Sequence, residues 1–429
     1  MQITSLFIFK FIEWIAANNM STKANPRRNE ENRFQETNGF RDQLGFLFLL
    51  TTIFFLNFIS RIILAPLIPT IETDLDLSHA EAGSLFLFIS CGYFVTLIGS
   101  GFVSSRFTHK RTIVLSITAM GIALLVTSLS GGLWPIRLSL LTVGLAAGLY
   151  LPSAIATLTG SVHTRHWGKA IAIHELAPNL SFVLAPLISE AVLYWFSWRV
   201  VFGILGIVAL IFGLVFSRYS RGGDYSGEPP NFRSLRTLSA IPSYWLLVLL
   251  FSLGISGTLG IFAMLPLYLV TEHGISQNWA NTLVSFSRIP GIGMALAGGW
   301  ASDRFGPKRT LMVVLLITGG MTFLLGTVSS SVVTIFVFLQ PIVAVCFFPA
   351  GLTALSLITP PRLRNVAVSF TTPFAFLVGG GVVPSVIGFI GDWKSFAVAI
   401  SVVGGFIVTG SFFSKYLKFY EKSKALGGF

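Results

Sequence analysis

Gly299-Trp300-Ala301-Ser302-Asp303-Arg304-Phe305-Gly306-Pro307-Lys308-Arg309 is a short charged turn between two long apolar runs. Counting back 198 residues, it recurs in weaker form as Gly101-Phe102-Val103-Ser104-Ser105-Arg106-Phe107-Thr108-His109-Lys110-Arg111. The first glycine, the first arginine, the phenylalanine and the Lys-Arg pair all match at that one offset. At the same spacing Pro186 pairs with Pro384, and Trp195 with Trp393. A constant offset between halves predicts a duplicated unit of six helices.

Working outward, the composition demands a lipid solvent. Of 429 residues, 53% are hydrophobic and only 11% charged, where a soluble domain carries about 25% charged. Twelve apolar helices are predicted near 44–70, 79–104, 110–130, 133–160, 167–195, 198–218, 242–270, 277–301, 308–328, 331–358, 364–391 and 393–417. The fold class is therefore all-α and membrane-spanning, with bundles over 44–218 and 242–417. Residues 219–241, with Gly222-Gly223, Pro229-Pro230, Arg221, Arg233 and Arg236, form the linker. Residues 1–43 and 418–429 are tails. Residues 1–19 are apolar but interrupted by Lys10 and Glu13, and are expected to be an upstream extension of a chain that starts at Met20, or else a segment lying in the membrane interface. Cys91 and Cys346 sit in apolar runs as small core residues.

Placing the N-terminus in the cytoplasm puts 24 of the 29 Lys and Arg on that side. The opposite side then carries three (Arg137, Arg199, Lys394), and two (Arg61, Arg288) fall inside helices. That asymmetry fixes both termini as cytoplasmic. The net charge of +12 is scattered over loops on one membrane face, which excludes a nucleic-acid partner. No phosphate-cradling G-x-x-x-x-G-K-[ST] loop, metal cluster or nucleophile constellation is present, so neither an enzyme nor a cofactor is expected.

The chain resembles the major facilitator superfamily over about 44–417. The family's loop pattern, roughly G-x-x-x-D-R-x-G-x-[RK]-[RK], is matched fully by 299–309; residues 101–111 carry Ser105 for the aspartate and Thr108 for the glycine. The resemblance implies two bundles related by a pseudo-two-fold axis, a site near the midplane and alternating access. It also implies a conformational latch at Gly299, Asp303, Arg304, Gly306 and Arg309, with Arg106 and Arg111 in the weaker copy. Drug antiporters of the family place an arginine where this chain has Leu140, and their fifth-helix glycines read here as Ala172, Ser181, Ala185-Pro186 and Ser189.

A charge in the hydrocarbon region costs about 2.5–3.5 kcal/mol, so each calls for a reason. Arg61 in the first run, with Asn57 one turn below, and Arg288 in the eighth are expected to bind an anion, since a guanidinium holds a carboxylate bidentately. Glu175, the carboxylate deepest in the apolar runs, is the candidate proton carrier, or a neutralising partner for an arginine. Its neighbour His174 reads as a satisfied core histidine, with a proton relay as the alternative, and stands among the substrate-binding candidates. The two are about 100° apart on a regular helix and are not expected to face one point. Tyr150, Tyr268 and Gln340 lie in runs that line the cavity in the family. The expected function is a monomeric, plasma-membrane carrier of a small organic or inorganic anion, working as a proton symporter. A drug or lipophile exporter is the alternative. A non-transporting membrane sensor is the third, for which the chain shows no signalling domain or long tail.

Overall fold

The computed structural model describes residues 40–220, 222–229, 232–360 and 363–420. The tail over 1–39, Arg221 and the last nine positions lie outside the described residues. Every regular element of the described chain is a helix, and one isolated β-bridge joins Thr108 and Ser226. Eleven of its helices are long and apolar enough to cross a membrane. A bilayer core offers no water to unpaired N–H and C=O groups, so apolar runs satisfy their backbone as helix.

In the first half, the first run is α1 (Phe40–Ile62) and α2 (Leu64–Leu75), and the second is α3 (His79–Arg106). The third is α4 (His109–Ser128), the fourth α5 (Leu133–Gly148) and α6 (Tyr150–Ser161). The fifth is α7 (Trp167–His174) and α8 (Leu176–Leu193), the sixth α9 (Trp198–Tyr219). A short α10 (Phe232–Ser239) lies in the linker. The seventh run is α11 (Pro242–Ile255) and α12 (Ile261–Thr271), joined by a π-helical turn at Ser256–Gly260. The eighth is α13 (Gln277–Ser287) and α14 (Gly291–Phe305), the ninth α15 (Pro307–Leu325) and the tenth α16 (Val333–Ala344) and α17 (Phe347–Ile358). The eleventh is α18 (Arg364–Leu377) and α19 (Val383–Trp393), joined by a second π turn at Val378–Val382, and the last is α20 (Phe396–Ser411). The eighth run is not among the eleven because Arg288-Ile289-Pro290 divides it.

Prolines set these interruptions. Pro66, Pro152, Pro178 and Pro349 each lie three residues past a break, at Ile63, Leu149, Glu175 and Cys346. A proline has no N–H to give the carbonyl four residues back, and its ring crowds that carbonyl. Asn57, His174 and Glu175 each lie at or beside one of these breaks.

Packing divides the described chain into two compact units. One takes in residues up to Ile63 and Cys91–Pro230; the other takes in Leu64–Ser90 and the chain from Asn231 on. The first and second runs are thus shared, their middle stretch belonging with the second half.

Within the first unit α4 and α9 cross at Gly121 and Gly206. A Cβ on either would lie 2.9 Å from the other's carbonyl oxygen. Within the second, α15 and α20 cross at Gly319 and Gly404, the same two positions plus 198. Lys110 Nζ donates to the Ser220 carbonyl at 2.8 Å, and Lys308 Nζ, again 198 later, to the Leu417 carbonyl at 3.3 Å. A lysine at a helix C-terminus meets unpaired carbonyls and the negative end of the helix dipole. The duplication is therefore physical as well as textual.

The first part of the linker docks on the first unit. The Tyr225 and Gly223 carbonyls accept from the His109 and Lys110 N–H groups at 3.0 and 2.9 Å, capping α4. The Gly227 N–H donates to Ser104 O at 2.8 Å.

In the second unit, α2 leans on α13 through the carbonyl of Pro66. Gln277 Nε2 and Asn281 Nδ2 both donate to it at 3.1 Å, and Thr70 Oγ1 donates to Gln277 Oε1 at 3.0 Å. Asp392 at the end of α19 caps the start of α3, accepting from the His79 and Ala80 N–H groups at 2.9 and 2.8 Å. Glu272 does the same for α20, at the Phe396 and Ala397 N–H groups.

Candidate functional site

The first unit gathers Asn57, Arg61, Tyr150, His174 and Glu175, all expected from the sequence, with Tyr93 added by the fold. Arg61 is in the last turn of α1 and is 8% exposed. Its guanidinium lies 4.2 Å from the ring centre of Tyr93 on α3 and 4.9 Å from that of Phe58. Two aromatic faces offset part of the cost of burying the cation, each by about 0.5–2 kcal/mol. Arg61 Nε also reaches the Asn57 carbonyl at 3.5 Å. Asn57 Nδ2 donates to the Ala147 carbonyl at 3.1 Å, beside the break that Pro152 makes between α5 and α6.

Tyr150 opens α6 immediately after that break. It is fully buried, and its hydroxyl donates to Leu50 O at 2.8 Å. His174 Nε2 is 3.1 Å from the same hydroxyl oxygen, and its ring stacks on Phe54 at 4.3 Å between centres. His174 is also fully buried.

One expectation is corrected here. His174 and Glu175 do approach one point: Nδ1 and Oε1 are 3.7 Å apart. The 100° rule holds for a continuous helix, and this one stops at Glu175 because Pro178 leaves the His174 carbonyl without a donor. Asn179 Nδ2 then donates to the Glu175 carbonyl at 3.1 Å. The Glu175 side chain is 52% exposed, whereas that of His174 is sealed.

The second unit places Arg288 as the C-terminal cap of α13. Its Nη2 donates to the Thr258 carbonyl at 3.2 Å, and its guanidinium is 4.9 Å from the Phe262 ring centre. Thr258 belongs to the π turn of the seventh run, where the wider winding turns carbonyls away from the regular ladder. Gln340 uses the adjacent carbonyl: Nε2 donates to Gly257 O at 2.6 Å and to Thr322 Oγ1 at 3.1 Å. It is 2% exposed and ties α16 and α15 to the π turn. Tyr268 is likewise engaged in the core, donating to Leu325 O at 2.8 Å. The two π turns pack backbone to backbone, a Cβ on Gly260 falling 2.6 Å from Gly379 O.

The turn at 299–309 joins α14 to α15. Gly306 takes φ +84°, a conformation strained for any side chain. Its counterpart Thr108 takes φ −75° and caps α4 instead, its hydroxyl accepting from the Arg111 N–H at 3.3 Å. That is why threonine suffices in the weaker copy. Asp303, Arg304 and Arg309 are exposed, as are Arg106 and Arg111. Arg304 lies over Trp300 and Phe305 at 5.6 and 5.9 Å. A Cβ on Gly299 would lie 3.8 Å from Pro349 Cβ, an ordinary van der Waals contact.

Sequence reasoning missed Tyr93, Phe58 and both π turns. Gly379-Gly380-Gly381 next to Pro384, and Gly257 and Gly260 before Pro266, were the available signals.

The Major Facilitator Superfamily model matches residues 50–300 and 277–426. A probable sulfoacetate transporter of Cupriavidus necator is 31% identical over 151 residues, a match spanning about a third of each chain (34% and 34%). A membrane sensor protein of Salmonella typhimurium is 23% identical over 79% of this chain and 83% of its own. Among solved structures, a bacterial homologue of the human lysosomal transporter Spinster, in an inward-facing and unoccupied form, superposes with a TM-score of 0.77. That match covers 89% of this chain and 98% of the other at 18% identity, and shows a shared fold. With a duplicated helical chain, a glycine-bearing turn repeated at one offset and a family model matching almost end to end, the chain belongs to the Major Facilitator Superfamily.

Proposed function

We propose that the protein is a secondary active transporter of a small organic or inorganic anion, coupled to protons, with both termini in the cytoplasm of a plasma membrane. The observation that carries this reading is one buried guanidinium in each half, Arg61 and Arg288, each laid on an aromatic face inside an apolar run. Placing a cation there is costly, and a guanidinium holds an anion bidentately. Asn57 orients Arg61 by way of the first run, Tyr150 and His174 pack behind it, and Glu175 carries the proton. Gln340 supports the π turn that positions Arg288. Residues 299–309 with Arg106 and Arg111 serve as the latch between the two access states. The sulfoacetate relative is consistent with a small anion, though over a third of the chain only.

The test is uptake into proteoliposomes of labelled sulfoacetate, short carboxylates and inorganic phosphate. Arg61→Ala and Arg288→Ala are each expected to lower uptake by at least about thirtyfold, equivalent to ~2 kcal/mol for a lost charged contact, while the protein still inserts. Anion transport retained in either variant refutes the paired-arginine reading. Efflux of lipophiles with no anion uptake identifies an exporter, and absence of any flux identifies a sensor.

A further inference from the structure

The Tyr150 hydroxyl has one proton, and the Leu50 carbonyl at 2.8 Å receives it. Toward His174 Nε2, 3.1 Å away, the phenol oxygen can only accept. The proton of a neutral His174 therefore sits on Nε2, and Nδ1 presents a lone pair. Nδ1 is buried with no hydrogen-bond partner, and it points at Glu175 Oε1 across 3.7 Å. A lone pair facing a carboxylate is an unfavourable arrangement that one added proton resolves. The backbone break at Pro178 holds the two side chains in this arrangement.

We propose that His174 and Glu175 form a dyad that binds the coupled proton between Nδ1 and Oε1, with Tyr150 as the positioning residue that fixes the tautomer. The inference rests on the proton-coupled reading above and specifies its site. A proton arriving from water adds to the pair, taking it from a net charge of −1 to neutral; its departure to the other side restores the starting state, and no other bond changes. The half-exposed carboxylate gives the proton a path that the sealed imidazole lacks.

The titratable groups that feel the Glu175 charge are Tyr150 from α6 and Tyr93 from α3, and Arg61 from α1 packs on Tyr93. Tyr93 lies in the fields of both Arg61 and Glu175. Loading the dyad removes the negative charge that acts on Tyr93, the ring on which Arg61 packs. Anion affinity then rises, and by linkage a bound anion raises proton affinity. The sign is that of symport, with a coupling of about tenfold.

The experiment uses proteoliposomes with labelled sulfoacetate and an internal pH dye, comparing the wild type with His174→Gln, which keeps an amide nitrogen near the Nε2 position, and with Glu175→Gln. In both variants acid-driven accumulation is expected to fall about tenfold and substrate-linked proton movement to disappear, with residual sulfoacetate exchange showing that the protein still inserts and binds substrate. Acid-driven accumulation retained in either variant overturns the dyad. So does exchange without proton movement in the wild type, which leaves the anion reading intact. A wild type that exchanges no anion defeats the anion reading instead, and infrared difference spectra of the purified protein between about pH 5 and pH 8 then decide the dyad. A titrating band lost in both variants sustains it; a band lost in Glu175→Gln alone refutes it.

Discussion

Gly319 and Gly320 are neighbours on α15, and the packing assigns them opposite fates. A Cβ on Gly319 would lie 2.6 Å from the Val408 nitrogen and 2.9 Å from the Gly404 oxygen; one on Gly320 would meet nothing within 4 Å. Alanine at either position gains the same helix propensity over glycine, about 1 kcal/mol, so that gain cancels in the comparison. What remains is the close approach of α15 to α20. Both nearest atoms at 319 are backbone, so relief requires one helix to move outward, at a cost of about 1–3 kcal/mol for overpacking. Gly320→Ala is expected to hold or raise the apparent Tm, and Gly319→Ala to fall below it by about 2–10 °C, on the scaling for a unit of roughly 200 residues. The assay is thermal unfolding of detergent-purified protein at one fixed scan rate, since unfolding is expected to be irreversible. Gly404 and Gly405 repeat the contrast on the partner helix, Gly405 having nothing within 4 Å. Equal Tm values for the 319 and 320 variants would refute the glycine-crossing account.

Asp392→Ala removes the carboxylate that caps α3. The His79 and Ala80 amides are expected to exchange hydrogen about tenfold faster, for a cap worth ~1.4 kcal/mol, as read by mass spectrometry; unchanged exchange rules out the cap. Gln340→Leu strands the Gly257 carbonyl of the π turn. It is expected to cost about 1–3 kcal/mol of stability and to leave the KM of residual uptake unchanged, whereas a raised KM at unchanged Tm would make Gln340 a substrate ligand.

The candidate site was legible in the sequence to the extent that it breaks a local rule. Arg61, Arg288, Glu175 and His174 stand out because a polar group in an apolar run is costly wherever the run packs. Tyr93 does not stand out, since one tyrosine among 40 phenylalanines and nine tyrosines carries no local mark. Its place over Arg61 depends on how α3 meets α1. Asp392 and Glu272 read as ordinary loop acids until the helix starts they cap are brought to them. The eighth run looked continuous by hydropathy and is divided, because Pro290 acts on backbone geometry and not on polarity.

By itself the sequence determined the solvent, the helical class, the doubling at 198 residues and the short roster of charges inside apolar runs, since each follows from composition or from spacing along one dimension. The tertiary structure alone decided which carbonyls Asn57, Arg288 and Gln340 reach, and that His174 and Glu175 meet at all. Those depend on helix ends and crossings, where a shift of one ångström changes the partner, and a linear pattern holds no record of distance between runs.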